Sequence, residues 1–177
     1  DVDLIAITTG FGNASVSDTT RNALYMKELF NMSAAVYAGA AMPVGSALGE
    51  GYADFVHGKN GLGDIPLTTP MCEAEAMPAA EAIVELVRAN PHVLSIVAVG
   101  RMTNLAMALA LDPELPSLIK ELIVMGGVFG YNGHRGNVSP VAEANIAGDP
   151  LAADRVFTSG IPTTIVGLDV TAEAVMN

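Results

Sequence analysis

An α/β fold, with a doubly wound, mostly parallel sheet and helices on both faces, is predicted by three features of this chain. Short apolar, β-branched runs alternate with segments of helical periodicity, the signature of βαβ units. The runs carry few polar residues, as do strands that are covered on both faces. Glycine and asparagine then gather just after several runs, where such sheets bind ligands. With 177 residues, 51% of them hydrophobic, the chain is long enough for one domain with a substantial core and short for two, so residues 1–177 are read as one domain.

The elements follow in order. Residues 4–9 form the first predicted strand, and Gly10, Phe11, Gly12 and Asn13 come directly after it. A helix is expected over 18–30 and a strand over 34–38. The connection from 39 to 77 contains glycine and proline without looking disordered in composition, and loops of that length are usually functional. In the helix expected over 78–89, Ala80, Ile83, Val84 and Val87 fall at i, i+3, i+4 and i+7, one core-facing stripe. A strand over 94–99 leads to Gly100, Arg101, Met102, Thr103 and Asn104, and helices are expected over 105–111 and 114–120. The strand at 122–125 ends in Met125 and is followed by Gly126 and Gly127, and later by Gly136 and Asn137. Asp149 as cap and Pro150 in the first turn start a helix over 150–159, and 163–168 is the fifth strand. All five strands read as buried.

Charge and cysteine content exclude several functions. Eight basic against nineteen acidic residues give a net charge of −11, which repels phosphate backbones, so no nucleic-acid partner is expected. The single cysteine, Cys72, rules out an internal disulfide framework and fits a reducing, cytoplasmic location. Mean hydropathy is positive (+0.43). No apolar run approaches the roughly 20 residues of a spanning helix, so no membrane association is expected. The chain opens at Asp1, Val2 and Asp3, which run straight into Leu4 without an initiator methionine, and it reads as the interior of something longer.

Several motifs can be tested for chemistry. Residues 10–15 imitate a dinucleotide fingerprint but fail it, because Ser15 stands at the third glycine and no acidic residue ends the 34–38 strand. No phosphate loop, zinc-spaced His/Cys cluster or nucleophile elbow is present. His57 lies in a glycine-punctuated loop and is a candidate for contacting a heterocyclic base, whereas His92 and His134 read as solvent-facing. Most of the nine methionines read as core filler; Met125, at a strand end, can line a pocket floor. The densest polar cluster is Asn137, Glu143 and Asn145. An amide donates and accepts while a carboxylate accepts, so the three suit vicinal hydroxyls, each of which needs both a donor and an acceptor. The plainer alternative is a set of turn residues ahead of a helix start.

Taken together, Ile7, Thr8 and Thr9 before Gly12 and Asn13, the His57 to Gly63 loop, and Gly100 to Asn104 resemble ordered motifs of a known family. Val124 to Gly127, Gly136 with Asn137, and Ala142 to Asn145 ending in Asp149 and Pro150 complete the series. The family is the inosine-uridine preferring nucleoside hydrolases. The resemblance implies a calcium-dependent hydrolase that cleaves small-molecule ribonucleosides to ribose and free base. It implies that Asn13, Asn137, Glu143 and Asn145 hold ribose hydroxyls, that Met125 contacts the sugar, and that His57 lies near the base as the catalytic candidate. It further implies that Thr103 offers its backbone carbonyl to calcium.

There are departures from the family pattern. The aspartate cluster of the form DxDxxxDD is not in this sequence, and Asp1 and Asp3 do not replace it; nor is the distal His-Asp pair. The chain is therefore expected to be incomplete at both ends, covering somewhat over half of a family member. Arg101 and Met102 replace the usual Pro-Leu, and Ala144 stands where an aromatic is common. The 177 residues alone are accordingly expected to be inactive and to self-associate, the complete protein forming a homo-oligomer. A riboside-binding module without catalysis is the alternative reading.

Overall fold

The computed structural model describes residues 2–45 and 52–175. Asp1, residues 46–51 of the long connection, and 176–177 lie outside the described residues. The chain falls into two compact units, Asp1–Ala82 and Ile83–Asn177.

In the first unit, β1 (Ala6–Thr8) and β2 (Ala35–Tyr37) pair in parallel, Ala6 opposite Ala35 and Thr8 opposite Tyr37, with α1 (Val16–Leu29) as the crossover. The start of α1 is dictated locally. Ser15 accepts the Asp18 amide at 3.1 Å and donates to the Asp18 carboxylate at 2.6 Å, closing the first turn. Threonines then tie the helix to the end of the strand. The Thr20 hydroxyl meets that of Thr9 at 2.7 Å, and the Thr19 hydroxyl donates to the Gly10 carbonyl at 2.9 Å. Phe11, Ala14, Leu24, Ala34 and Val36 are buried, whereas Leu4 and Ile5 are exposed. The strand expected over 4–9 is thus shorter and more open than its apolar sequence suggested, having one strand neighbour among the described residues. A four-residue helix, α2 (Asp54–His57), and the start of α3 (Ala79–Ala89) complete the unit. The apolar stripe of α3 is buried at Ala80, Ile83 and Val87 and half-buried at Val84.

In the second unit, β3 (Ser95–Ala98), β4 (Glu121–Met125) and β5 (Thr163–Val166) form a wholly parallel sheet in the order β3-β4-β5. α4 (Thr103–Leu111) and α5 (Leu115–Leu118) connect β3 to β4. A 3-10 turn (Tyr131–Gly133), α6 (Ala144–Ala147) and α7 (Pro150–Phe157) connect β4 to β5, and α8 (Leu168–Thr171) follows. β4 is the central strand and the best packed. Leu122 and Val124 on one face are wholly buried, while Glu121, Ile123 and Met125 on the other are half-buried. Removing a leucine side chain of this kind from water contributes about 2 kcal/mol. Burial is uneven: β3 and β5, which among the described residues each have one strand neighbour, carry the exposed residues Val97 and Ile165. α4 packs on α7 through small residues, with Ala106, Ala108, Ala152 and Ala153 buried.

Three boundaries differ from expectation for visible reasons. The strand expected over 163–168 ends at Val166, because Gly167 caps α8 and Leu168 is its first residue. The helix expected over 114–120 contracts to Leu115–Leu118, where extended backbone at Ile119 ends it. The helix expected from 105 begins at Thr103. Among the described residues no helix is long and apolar enough to cross a membrane.

Candidate functional site

The second unit brings five of the candidate residues onto neighbouring segments. Gly136 makes the first tight approach: a Cβ there would lie 2.2 Å from the Ala142 carbonyl and 2.4 Å from that of Ser139, so only glycine fits. The chain then folds back on itself, and the Asn137 side-chain oxygen accepts the Ala144 amide at 2.9 Å. Glu143, 3% exposed, caps α6. One of its oxygens accepts the Asn145 amide at 2.8 Å; the other accepts the amides of Ile146 at 3.2 Å and of Gly127 at 2.9 Å. The Gly127 bond reaches across to the loop that leaves β4, so the cap also ties α6 to the end of the central strand. Asn145 strengthens the tie. Its amide nitrogen donates to the Met125 carbonyl at 3.0 Å and lies 3.5 Å from the Val99 carbonyl, just beyond β3. The same nitrogen is 3.3 Å from the Met125 sulfur, which places Met125 beside Asn145.

These bonds leave a definite residual capacity. Asn137 has used its oxygen and keeps its NH2 donors, while Asn145 has used its nitrogen and keeps its oxygen as acceptor. Glu143 has committed three of about four acceptor positions. A donor and an acceptor thus remain on one short segment, and a hydroxyl requires one of each.

Thr103 is buried and opens α4, and its hydroxyl donates to Asp149 at 2.6 Å. Asp149, itself 1% exposed, also accepts the Ala152 amide at 3.1 Å and so caps α7. The pair fastens the starts of two packed helices to each other. Arg101, the departure noted in the sequence, lies across Gly148, where a Cβ would sit 2.0 Å from its Nε.

The first unit holds Asn13 and His57. Asn13 is exposed in the turn after β1. His57 is half-buried and ends α2, so it belongs to a helical turn where a loop was expected. The glycines behind it do form a tight loop: Gly58 has φ +70°, and a Cβ there would lie 2.6 Å from the Asp64 backbone nitrogen. Gly61 rests on Ala14, the neighbour of Asn13, with 2.9 Å between its would-be Cβ and that of Ala14. Buried Asn22 donates to the Asn60 carbonyl at 2.8 Å and anchors the loop to α1. The two candidate segments of this unit are therefore packed against each other. A cavity of about 430 Å³ opens nearby, lined among others by Val16, Thr20, Leu24, Gly39 and Cys72; none of the candidate residues lines it.

His92 is exposed as expected, whereas His134 instead meets Glu173 at 2.9 Å. Three buried polar residues escaped the sequence reading, Asn22, Asp112 and Asp169. An aspartate set in the apolar stretch 161–170 was the available signal for the last.

Comparison with known proteins settles the family. The model of the inosine-uridine preferring nucleoside hydrolases matches residues 1–177. The chain belongs to that family. Uridine nucleosidase 1 of Arabidopsis thaliana is 42% identical over 174 residues, which is 98% of this chain and 51% of that protein. The non-specific ribonucleoside hydrolase RihC of Escherichia coli is 39% identical over 176 residues, 99% of this chain and 56% of that one. Among solved structures, the purine-preferring ribonucleoside hydrolase of Gardnerella vaginalis superposes with a TM-score of 0.92 at 36% identity, covering 98% of this chain and 55% of that one. The plant nucleoside hydrolase PpNRh1 gives 0.91 at 38%, covering 97% and 54%. The chain thus spans about half the length of the nucleoside hydrolases it matches.

Catalysis in nucleoside hydrolases is metal-dependent. The residues described here do not fit that metal by themselves. A hard cation takes about six to eight oxygens, and Thr103 offers one carbonyl. Among the described residues no three His, Cys, Asp or Glu side chains gather around a common point.

Proposed function

We propose that this protein hydrolyses the N-glycosidic bond of purine and pyrimidine ribonucleosides, adding water across the bond between sugar and base to release ribose and free base. The observation that carries the reading is the fixed grouping of Met125, Asn137, Glu143 and Asn145 at the end of the central parallel strand, in a chain of this family. The named activities of its relatives, uridine nucleosidase and non-specific ribonucleoside hydrolase, point the same way.

In this reading Asn137, Glu143 and Asn145, with Asn13, bind ribose hydroxyls and orient the sugar, and Met125 packs against it. His57 serves the departing base. Thr103 contributes its carbonyl to calcium, the metal we assign, and no catalytic step is assigned to these residues through it. A cytoplasmic location and a homo-oligomeric state belong to the same proposal; half-buried Cys72 is a free thiol.

The test is release of free base from uridine and inosine by the protein at its natural length, with calcium and with excess chelator. Calcium-dependent turnover supports the hydrolase. Binding of ribosides that is indifferent to chelator and produces no free base would replace it with a riboside-binding module.

A further inference from the structure

A second buried carboxylate grips the same loop that Glu143 grips. Asp169 is 1% exposed and sits in the first turn of α8. Its Oδ2 accepts the amides of Phe129 at 3.1 Å and Tyr131 at 3.0 Å. Its Oδ1 is buried and, among the described residues, has no hydrogen-bond partner within ordinary distance and angle. The surroundings are shaped to admit it: a Cβ on Gly167 would lie 2.3 Å from that oxygen and 2.7 Å from the Phe129 ring, so glycine makes room for both. Backbone bonds complete the grip, with Gly126 donating to Val166 at 3.1 Å and Leu168 donating to Gly127 at 2.8 Å.

Residues 126–131 therefore have every second or third peptide fastened. The amide of Gly127 goes to Glu143, its carbonyl to Leu168, and the amides of Phe129 and Tyr131 to Asp169. The loop needs these holds, because Gly127 and Gly130 are both left-handed, at φ +75° and +78°, conformations of high chain entropy when unconstrained. A buried carboxylate with one unpartnered oxygen is costly, and an apolar side chain would fill the space at lower cost if filling were all that the position required.

We propose that Asp169 is a positioning residue for the ribose pocket: it sets the course of residues 126–131, and through Gly127 the orientation of Glu143 beside Met125. The amide of Tyr131 first, and then that of Phe129, also holds its carboxyl below the usual carboxylate range, so it stays charged and accepting at neutral pH. The inference rests on the ribonucleoside hydrolase reading, and its test separates the two.

Asp169→Ala and Asp169→Asn are compared with the natural-length protein in uridine hydrolysis and in amide hydrogen exchange. Asparagine keeps an acceptor oxygen where Oδ2 sits. Asp169→Ala should raise KM for uridine at least tenfold in the folded fraction, with a smaller change in kcat, and should lose protection at Gly127, Phe129 and Tyr131. Asp169→Asn should recover most of the KM and of the Gly127 protection. The exposed neighbour Glu173→Gln should change neither quantity. An unchanged KM in Asp169→Ala would overturn the proposal, as would retention of Gly127 protection in that variant. If the unmutated protein cleaves no ribonucleoside, the hydrolase reading fails on its own, and the Gly127 protection alone decides whether Asp169 sets this loop.

Discussion

At the scale of single residues, the polar groups that matter here act twice. Glu143 is a candidate for sugar binding, yet in the structure it is first the acceptor of three backbone amides. Replacing it with alanine leaves those donors without their partner, and each such loss costs about 1–3 kcal/mol. Glu143→Ala should therefore lower unfolding stability by about 2–4 kcal/mol, read from urea midpoints, as well as abolishing turnover. A purely ligand-facing glutamate would leave the midpoint where it was. Asp112 shows the same economy in a structural setting. Hydrogen bonds from Arg88, among them one at 2.8 Å to Oδ1, hold its carboxyl below the usual range. A folded pKa below the unfolded value, about 3.9, means the stabilisation is in place above that value and is lost as pH falls through the folded one. Urea midpoints measured from pH 6 down to pH 2 should fall on the acid side, and Asp112→Asn should flatten that limb. An unchanged slope in the variant would remove Asp112 from the account.

Among elements, the turns are more constrained than the helices they join. Gly136→Ala forces a methyl against two carbonyl oxygens of the main chain and should cost about 1–3 kcal/mol, whereas Gly100→Ala meets nothing within 4 Å and should unfold at nearly the parent temperature. Equal losses in the two variants would contradict the packing described for residues 136–142. Legibility divides along the same line. The parallel strands and the long helices were readable because 11 to 14 residues of period, as in α1 and α3, report burial directly. Of the four-residue helices, α5 was read within the longer 114–120 pattern, and α2, α6 and α8 were not, since one turn carries no period. His57 was consequently placed in a loop, and Leu168 in a strand. Of the candidate site, the residue types at Asn137, Glu143 and Asn145 were legible as a polar cluster whose donors and acceptors suit hydroxyls. Their partners were not, because the amide of Gly127 is reached by a fold-back set by Gly136, and Asp169 grips its loop from some 40 residues further along.

At the scale of the whole molecule, each sheet keeps a strand that has one neighbour among the described residues, β1 in the first unit and β3 in the second. Exposed Ile5 lies beside one, and Val97 and Val99 lie in or beside the other. Unpaired edges with apolar flanks are templates for association. The 177-residue chain, made alone, should accordingly elute in light scattering well above its 18.2 kDa, and a sharp monomer would show that these edges are tolerated. The central claim concerns the sugar. If Asn137, Glu143 and Asn145 hold ribose hydroxyls, then a substrate that lacks one leaves a polar group of the pocket unmatched, and such sites discriminate strongly. The measurement that tests this most directly is kcat/KM for uridine against 2′-deoxyuridine in the protein at its natural length. The account predicts a preference for uridine on the order of a hundredfold or more, and equal rates on the two nucleosides would contradict it.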